Sequence, residues 1–175
     1  MNNIEIIIYE LLNGKDLRSI SDANTVVKMI GNQESFDILF NFLFDENRLI
    51  VMRAIDAIEK ITIKNKQYLE SHKDNLIELF KTTKDIECKW HLALLVSRIE
   101  LNKKQLDEIY KLLKQWVLTK DESKIVRVNS LQALFEISKD NIDLKKDLNK
   151  IVNQLKKENI ASINSRIKKL GLYNR

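Results

Sequence analysis

One apolar pattern returns along the chain at a nearly constant interval, and it restricts the fold more than any other feature. In the stretch KIVRVNSLQALFEIS, apolar or small residues follow Val126 after four, seven, eight and eleven positions. At about 100° per residue, these offsets lie on one face of an α-helix. The pattern begins, in whole or in part, at Ser19, Ile50, Cys88, Val126 and Ile163, at intervals of 31, 38, 38 and 37 residues. Such regular spacing predicts stacked helical repeats.

A second amphipathic segment precedes each patterned segment, so the chain divides into helix pairs. These preceding segments cover residues 3–12, 34–44, 104–118 and 144–157, and one more runs through Leu76 and Phe80 after a predicted capping box of Ser71 and Asp74. The sequence has no proline and only three glycines, which disfavours the many turns of a sheet protein. We therefore predict an all-α fold of ten helices in five antiparallel pairs, in one domain that covers residues 1–175.

Charge and apolar run length argue against several classes of protein. The net charge is +5, but 30 basic residues are interspersed with 25 acidic ones, which does not indicate a dedicated nucleic-acid surface. A single cysteine, Cys88, excludes an internal disulfide. The N-terminus has no basic segment before its apolar residues, and no apolar run approaches the roughly 20 residues that a membrane span needs. We expect a soluble cytoplasmic protein with no membrane partner.

The fourth occurrence of the pattern resembles a HEAT repeat, in which an acidic turn leads to a Val-Arg step and then to small and apolar residues. Asp121 precedes Val126-Arg127 by five residues. The resemblance implies a right-handed α-solenoid, and it implies that Arg127 braces a turn by pairing with a nearby aspartate rather than by contacting a ligand. The motif is degenerate, because the proline usual in such repeats is absent. Other repeats place Val51, Lys89 and Asn164 at the arginine position.

A polar strip accompanies the apolar face of the second helix in each pair. Offsets three, six and ten from the start of the pattern lie at about 240–300° around the helix, away from the predicted core face. The resemblance implies that the second helices line a concave surface, where these positions would form a ladder that leans basic. The candidate partner-binding residues are Arg53, Asp56, Lys60, His91, Arg98, Asn129, Gln132 and Arg166. Two interpretations stay open, a groove for a peptide or acidic segment and a merely solvated helix face.

No arrangement of residues in the sequence indicates catalysis or a cofactor. Cys88 and His91 are three apart on a helix, but a structural zinc site needs four ligands and the only other histidine is His72. Glycine-rich phosphate loops, GxSxG and HExxH are absent. We therefore predict no catalytic residue, no metal and no cofactor.

The two tryptophans support one alternative function. Some alkylpurine DNA glycosylases are built from HEAT-like repeats and use tryptophans with a carboxylate in a basic groove. Here Leu94, not an acid, follows Trp90 by one turn, and Trp116 lies within an apolar stripe. We predict a non-enzymatic interaction or scaffold module with a protein or peptide partner. A HEAT-like DNA-binding protein or glycosylase relative remains the alternative, and the oligomeric state is left open.

Overall fold

The computed structural model describes residues 3–14 and 20–172, and within them it contains ten α-helices and no β-strand. The helices are α1 Asn3–Leu12, α2 Ile20–Met29, α3 Gln33–Asn41, α4 Arg48–Thr62, α5 Lys73–Thr82, α6 Ile86–Val96, α7 Lys103–Leu118, α8 Lys124–Ser138, α9 Ile142–Glu158 and α10 Ala161–Lys169. Two 3₁₀ helices, Phe42–Phe44 and Lys66–His72, follow α3 and precede α5. The predicted all-α class is confirmed, and none of the described helices is long and apolar enough to cross a membrane.

Asparagine or aspartate side chains cap the N-termini of five of the described helices. The Asn32 and Asn102 side chains each accept a hydrogen bond from the third helical residue, which in turn bonds back to the backbone of the cap. Asn47, Asp85 and Asn141 accept bonds from backbone N–H groups in the first turn of α4, α6 and α9. Because the first N–H groups of a helix have no internal partner, each cap contributes about 1 kcal/mol. Asparagine thus fixes the start of α3, α4, α7 and α9, and aspartate fixes the start of α6.

The first of two compact units, Met1–Lys73, places α4 against α1, α2 and α3. The core face of α4 is the patterned one, with Ile50, Ala54, Ala57, Ile58 and Ile61 all buried. Across from it, Phe36, Leu39 and Phe40 of α3 are fully buried. The helix pairing in this unit therefore follows directly from the apolar spacing of the sequence.

The 3₁₀ helix Lys66–His72 closes the first unit where the sequence predicted a capping box. The His72 ring stacks on Phe40 with centroids 4.0 Å apart, and its Nε2 lies 2.6 Å from Asp37 Oδ1. The Ser71 hydroxyl donates to the Tyr68 carbonyl oxygen, a residue within the 3₁₀ helix, rather than capping α5. The predicted capping box at Ser71 is wrong because the 3₁₀ helix runs straight into α5 and leaves no extended residue there.

The second compact unit, Asp74–Arg175, is built around α8, which packs against α6, α7, α9 and α10. Its patterned residues Val126, Ser130, Ala133 and Leu134 are fully buried. Helices α6, α8 and α10 lie side by side, and the first helices α7 and α9 pack against one another. Helix α8 is therefore in contact with other helices on several sides, which is why its sequence is apolar around most of its circumference.

Candidate interaction surface

Arg127 lies in the interior of the second unit, where it joins three helices. Its side chain is 1% exposed. Nε donates to the Val117 carbonyl oxygen at 2.9 Å, near the end of α7, and Nη2 donates to both carboxylate oxygens of Glu158 at 2.9 and 2.8 Å. The predicted bracing role is confirmed, but the predicted aspartate partner is wrong. Asp121 is exposed in the turn, whereas Glu158 ends α9 directly beside the guanidinium.

Lys89, at the arginine position of the preceding repeat, makes an equivalent connection. Its Nζ lies 2.7 Å from Glu122 Oε2, and both side chains are largely buried. Glu122 follows α7, as Glu158 ends α9, so each cation reaches an acid at the end of the next first helix along the chain. The position that looked like a departure from the motif therefore keeps the same ionic contact.

Arg53 was placed by the sequence on the solvent-facing strip, and this placement is wrong. The residue is only 9% exposed. Nη1 donates to the carbonyl oxygens of Leu12 at 2.7 Å and Gly14 at 2.9 Å. The last carbonyls of a helix have no partner within it, and the guanidinium supplies donors to the end of α1. A buried arginine that caps a helix is support for the fold.

His91 and Asn129 were also expected to be solvated, and both are buried, at 3% and 6% exposure. Asn129 Nδ2 donates to the Trp90 carbonyl oxygen at 3.5 Å, which crosses from α8 to α6. The spacing of apolar residues along one helix does not show which other helices pack against its polar face. In the second unit, offset three on α8 points toward the adjacent second helices instead of solvent.

Arg98 is half-exposed but does not lie on α6. The helix ends at Val96, and the Ser97 hydroxyl donates to the Leu94 carbonyl oxygen at 2.7 Å in the turn that follows. Position ten of the pattern therefore leaves the strip in this repeat.

In the first unit, Lys60 and Asp56 do share a half-exposed face of α4, where they form an ion pair of 2.6 Å with each other.

Three predicted polar positions come together across α8 and α10. Arg166 Nη1 donates to Gln132 Oε1 at 2.8 Å, and Nη2 lies 3.5 Å from Asn129 Oδ1. Gln132 Nε2 in turn donates to Glu136 Oε1 at 2.8 Å. We call Arg166, Gln132 and Glu136 the polar chain; all three are half-exposed. Side chains of two neighbouring second helices are thus joined by hydrogen bonds, whereas the predicted ladder over all repeats stays a prediction.

The charge of Arg166 is only partly compensated by these contacts. Burial lowers the pKa of its guanidinium, because desolvation penalises the charged form. Its two partners are neutral amides, and within the described ranges 3–14 and 20–172 no carboxylate lies at ion-pair distance from it. A guanidinium has five N–H donors, so several remain available. The site is therefore suited to a carboxylate from another molecule.

The first helices α7 and α9 of the second unit share a contact that the sequence did not predict. Tyr110 on α7 donates its hydroxyl to Asp147 Oδ2 on α9 at 3.2 Å, and Lys114 Nζ lies 2.8 Å from both oxygens of the same carboxylate. Burial raises the pKa of Tyr110, and the charge of Asp147 adds to the effect. Tyr110 and Asp147 are 37 residues apart, as are Asn129 and Arg166. The repeat interval itself was the signal that identifies such partners.

The residues considered for chemistry are dispersed. Trp116 is buried and its ring lies 4.7 Å from that of Phe80, so it is not available to stack on a base, while Trp90 is half-exposed. Cys88, at which one occurrence of the apolar pattern begins, is half-exposed because it stands in the first turn of α6. Over the described part of the chain, no group of three or more His, Cys, Asp or Glu residues is arranged to hold a metal ion.

Comparisons with known proteins extend these observations to most of the chain. A family model described as a HEAT repeat domain matches residues 10–170. No curated protein matches. The crystal structure of an engineered protein, a Northeast Structural Genomics Consortium target, is similar with a TM-score of 0.61 and 14% sequence identity, over 95% of this chain and 76% of the other. That likeness concerns the fold alone, and with the family match it confirms the predicted class of helical-repeat, α-solenoid fold.

Proposed function

Because this chain belongs to the HEAT repeat family, whose members commonly mediate protein interactions, we propose that it is a non-enzymatic module that binds a segment of a protein partner along its second helices. The observation that carries the proposal is the polar chain on α8 and α10. It brings half-exposed donors and acceptors of two adjacent repeats together, and it contains a guanidinium that no described carboxylate neutralises. We assign the contact to an acidic side chain of the partner.

The physical reason is electrostatic and geometric. A guanidinium presents donors in a planar fork that matches the two oxygens of a carboxylate. Arg166 is already oriented by Gln132 and Asn129, so little side-chain entropy remains to be lost when a partner binds. Its partial desolvation also strengthens the attraction relative to a fully exposed arginine.

The other candidate residues fall into two groups, half-exposed residues that we propose contact the partner and buried residues that position the surface. Among the half-exposed ones, Gln132, Arg98, Asp56 and Lys60 remain proposed contacts, each within its own unit. Arg53, His91 and Asn129 are buried, and we assign them the positioning of the surface rather than direct contact. The ion pair of Lys60 with Asp56 leaves that part of the strip without net charge. Within the polar chain, Arg166 is the cation at which we propose that charge selects the partner.

The test compares Arg166→Gln with Lys150→Gln, an equal loss of charge on the exposed surface of α9. Partners captured from a lysate of the source cells by the wild-type protein would be identified, and one would be purified for affinity measurements. We expect Arg166→Gln to weaken binding about tenfold or more, since a hydrogen bond to a charged group contributes roughly 1.5–3 kcal/mol. Lys150→Gln should leave the affinity within about twofold. Equal losses in both variants would contradict the proposed surface.

A further inference from the structure

A cavity in the second unit lies at the end of α8 and the start of α9, and its lining includes no residue of the polar chain, although Lys139 at its rim pairs with Glu136. Its volume is about 180 Å³, and it is open to solvent on one side. The lining residues are Phe135, Ser138, Lys139, Lys145, Leu148, Asn149 and Leu172. For comparison, an engineered apolar protein cavity of about 150 Å³ binds benzene. The space is therefore large enough for one ring or one branched alkyl group.

One wall of this cavity is apolar. Phe135 belongs to α8, Leu148 to α9, and Leu172 follows α10. Leu148 and Leu172 are each 2% exposed, so their side chains are packed within the protein interior. The Ser138 hydroxyl donates to the Leu134 carbonyl oxygen within its own helix, and its donor is thus already used.

The lining of this cavity also carries two side chains with hydrogen-bond donors that have no partner among the described residues. Lys145 and Asn149 are four residues apart on α9, which places them on the same face of that helix. Both line the cavity and both are half-buried. Within residues 3–14 and 20–172, neither side chain makes a hydrogen bond or an ion pair. An ammonium and an amide side by side at the rim of an apolar space are complementary to a carboxylate.

The other lysine at the rim has a different role. Lys139 Nζ pairs with Glu136 and lies 5.4 Å from the centroid of the Phe135 ring. Its charge is therefore shared with an acid, and its side chain holds the Phe135 wall in place. Lys145 is left as the cation that faces the cavity without compensation.

We infer that this cavity binds a small carboxylic acid with an aromatic ring or a branched alkyl group. The apolar group lies against Phe135, Leu148 and Leu172, and the carboxylate accepts hydrogen bonds from Lys145 Nζ and Asn149 Nδ2. This inference does not depend on the protein partner proposed above, because it uses other residues of the second unit.

The experiment is a titration of the full chain, labelled with nitrogen-15, with 3-phenylpropionate as the probe. Two analogues separate the contributions, 3-phenyl-1-propanol without the charge and propionate without the ring. We expect saturable shifts of the backbone amides at the end of α8, the start of α9 and Leu172. Both analogues should bind about tenfold more weakly, since each lacks one half of the recognition. Equal binding of the alcohol and the acid would overturn the assignment of a carboxylate site.

Variants on α9 test the two donors. Lys145→Gln and the nearly isosteric Asn149→Asp should each weaken phenylpropionate binding about tenfold or more and leave the alcohol unaffected. Lys146→Gln is the matched control, because Lys146 is exposed, pairs with Asp143 and does not line the cavity. Far-UV circular dichroism checks that each variant is folded. The inference fails if Lys145→Gln and Lys146→Gln behave alike, or if the shifts map to another part of the chain.

Discussion

Two arginines at different positions of the repeat stabilise the protein by the same means, because each donates to backbone carbonyls at the end of a first helix. Arg53 donates at the end of α1, and Arg127 donates to Val117 of α7. Helix C-termini leave carbonyl groups without partners, and burying such groups unpaired costs about 1–3 kcal/mol each. A long side chain with several donors satisfies them from a neighbouring helix. Arg127 adds a carboxylate, so it joins α7, α8 and α9 through one side chain.

At the residue scale, Arg127→Met tests this arrangement. Methionine has a similar length but no donors, so it leaves the Val117 carbonyl and the largely buried Glu158 without their partner. We expect a loss of about 3–5 kcal/mol in the free energy of unfolding, measured by urea denaturation. Lys150→Met, an exposed position on α9, serves as the control and should change stability by less than about 0.5 kcal/mol. Similar stabilities of the two variants would contradict the bracing role.

At the element scale, the first helices α7 and α9 are joined by a contact that is sensitive to alkaline pH. A tyrosine hydroxyl in an unfolded chain has a pKa of about 10, and the burial of Tyr110 near Asp147 raises its pKa in the folded protein. Above about pH 10 the unfolded chain therefore loses this proton while the folded protein retains it. Stability from this group is complete below about pH 10 and declines as the pH rises further.

Tyr110→Phe should remove that part of the pH dependence. Phenylalanine keeps the ring in the core but has no ionisable group, so the free energy of unfolding should fall less steeply above about pH 10 than in the wild type. Urea denaturation at several pH values between about 8 and about 11 measures the slope for both proteins. Parallel slopes would show that Tyr110 ionises equally in both states, against the burial described above.

The packing of α8 leads to a second prediction at this scale. Leu134 is fully buried at a patterned position, and Leu134→Ala should cost about 2–5 kcal/mol by leaving a cavity. Ile125, on the same helix but 45% exposed, offers the matched control. Ile125→Ala should cost far less, and chemical denaturation compares the two. Equal costs would mean that the register of this helix is wrong.

Helix positions were predictable from the sequence, and side-chain exposure was not. Apolar spacing gave α4, α7 and α8 nearly their observed bounds, because core burial itself selects that spacing. The predicted exposure of the polar strip was wrong at Arg53 and Asn129. Side-chain exposure depends on which helices lie on either side, and the sequence of one helix does not specify its neighbours. Arg166 and Gln132 are half-exposed, as the strip predicted, and they contact each other because two successive second helices lie side by side; their binding of a partner stays a prediction.

At the scale of the whole molecule, the prediction of one domain over residues 1–175 remains a proposal beside the two compact units that the structure contains. In repeat proteins, stability is a sum of repeat and interface contributions, and coupled repeats unfold together. We expect differential scanning calorimetry to give a single transition whose calorimetric and van't Hoff enthalpies agree. Leu134→Ala should then shift the entire transition. Two resolved transitions, only one of which moves in the variant, would establish separate domains.

The contacts between residues one repeat apart have a consequence for the order of the repeats. Tyr110 and Asp147 occupy corresponding sites in successive first helices, as Asn129 and Arg166 do in successive second helices, yet the two members of each pair are chemically different. A tandem duplication of α7 and α8 would set Tyr110 against a second tyrosine and Asn129 against a second asparagine, and Lys114 would lose the carboxylate at the position of Asp147. These repeats are therefore not interchangeable, because the side chains of each repeat determine which repeat can pack next to it.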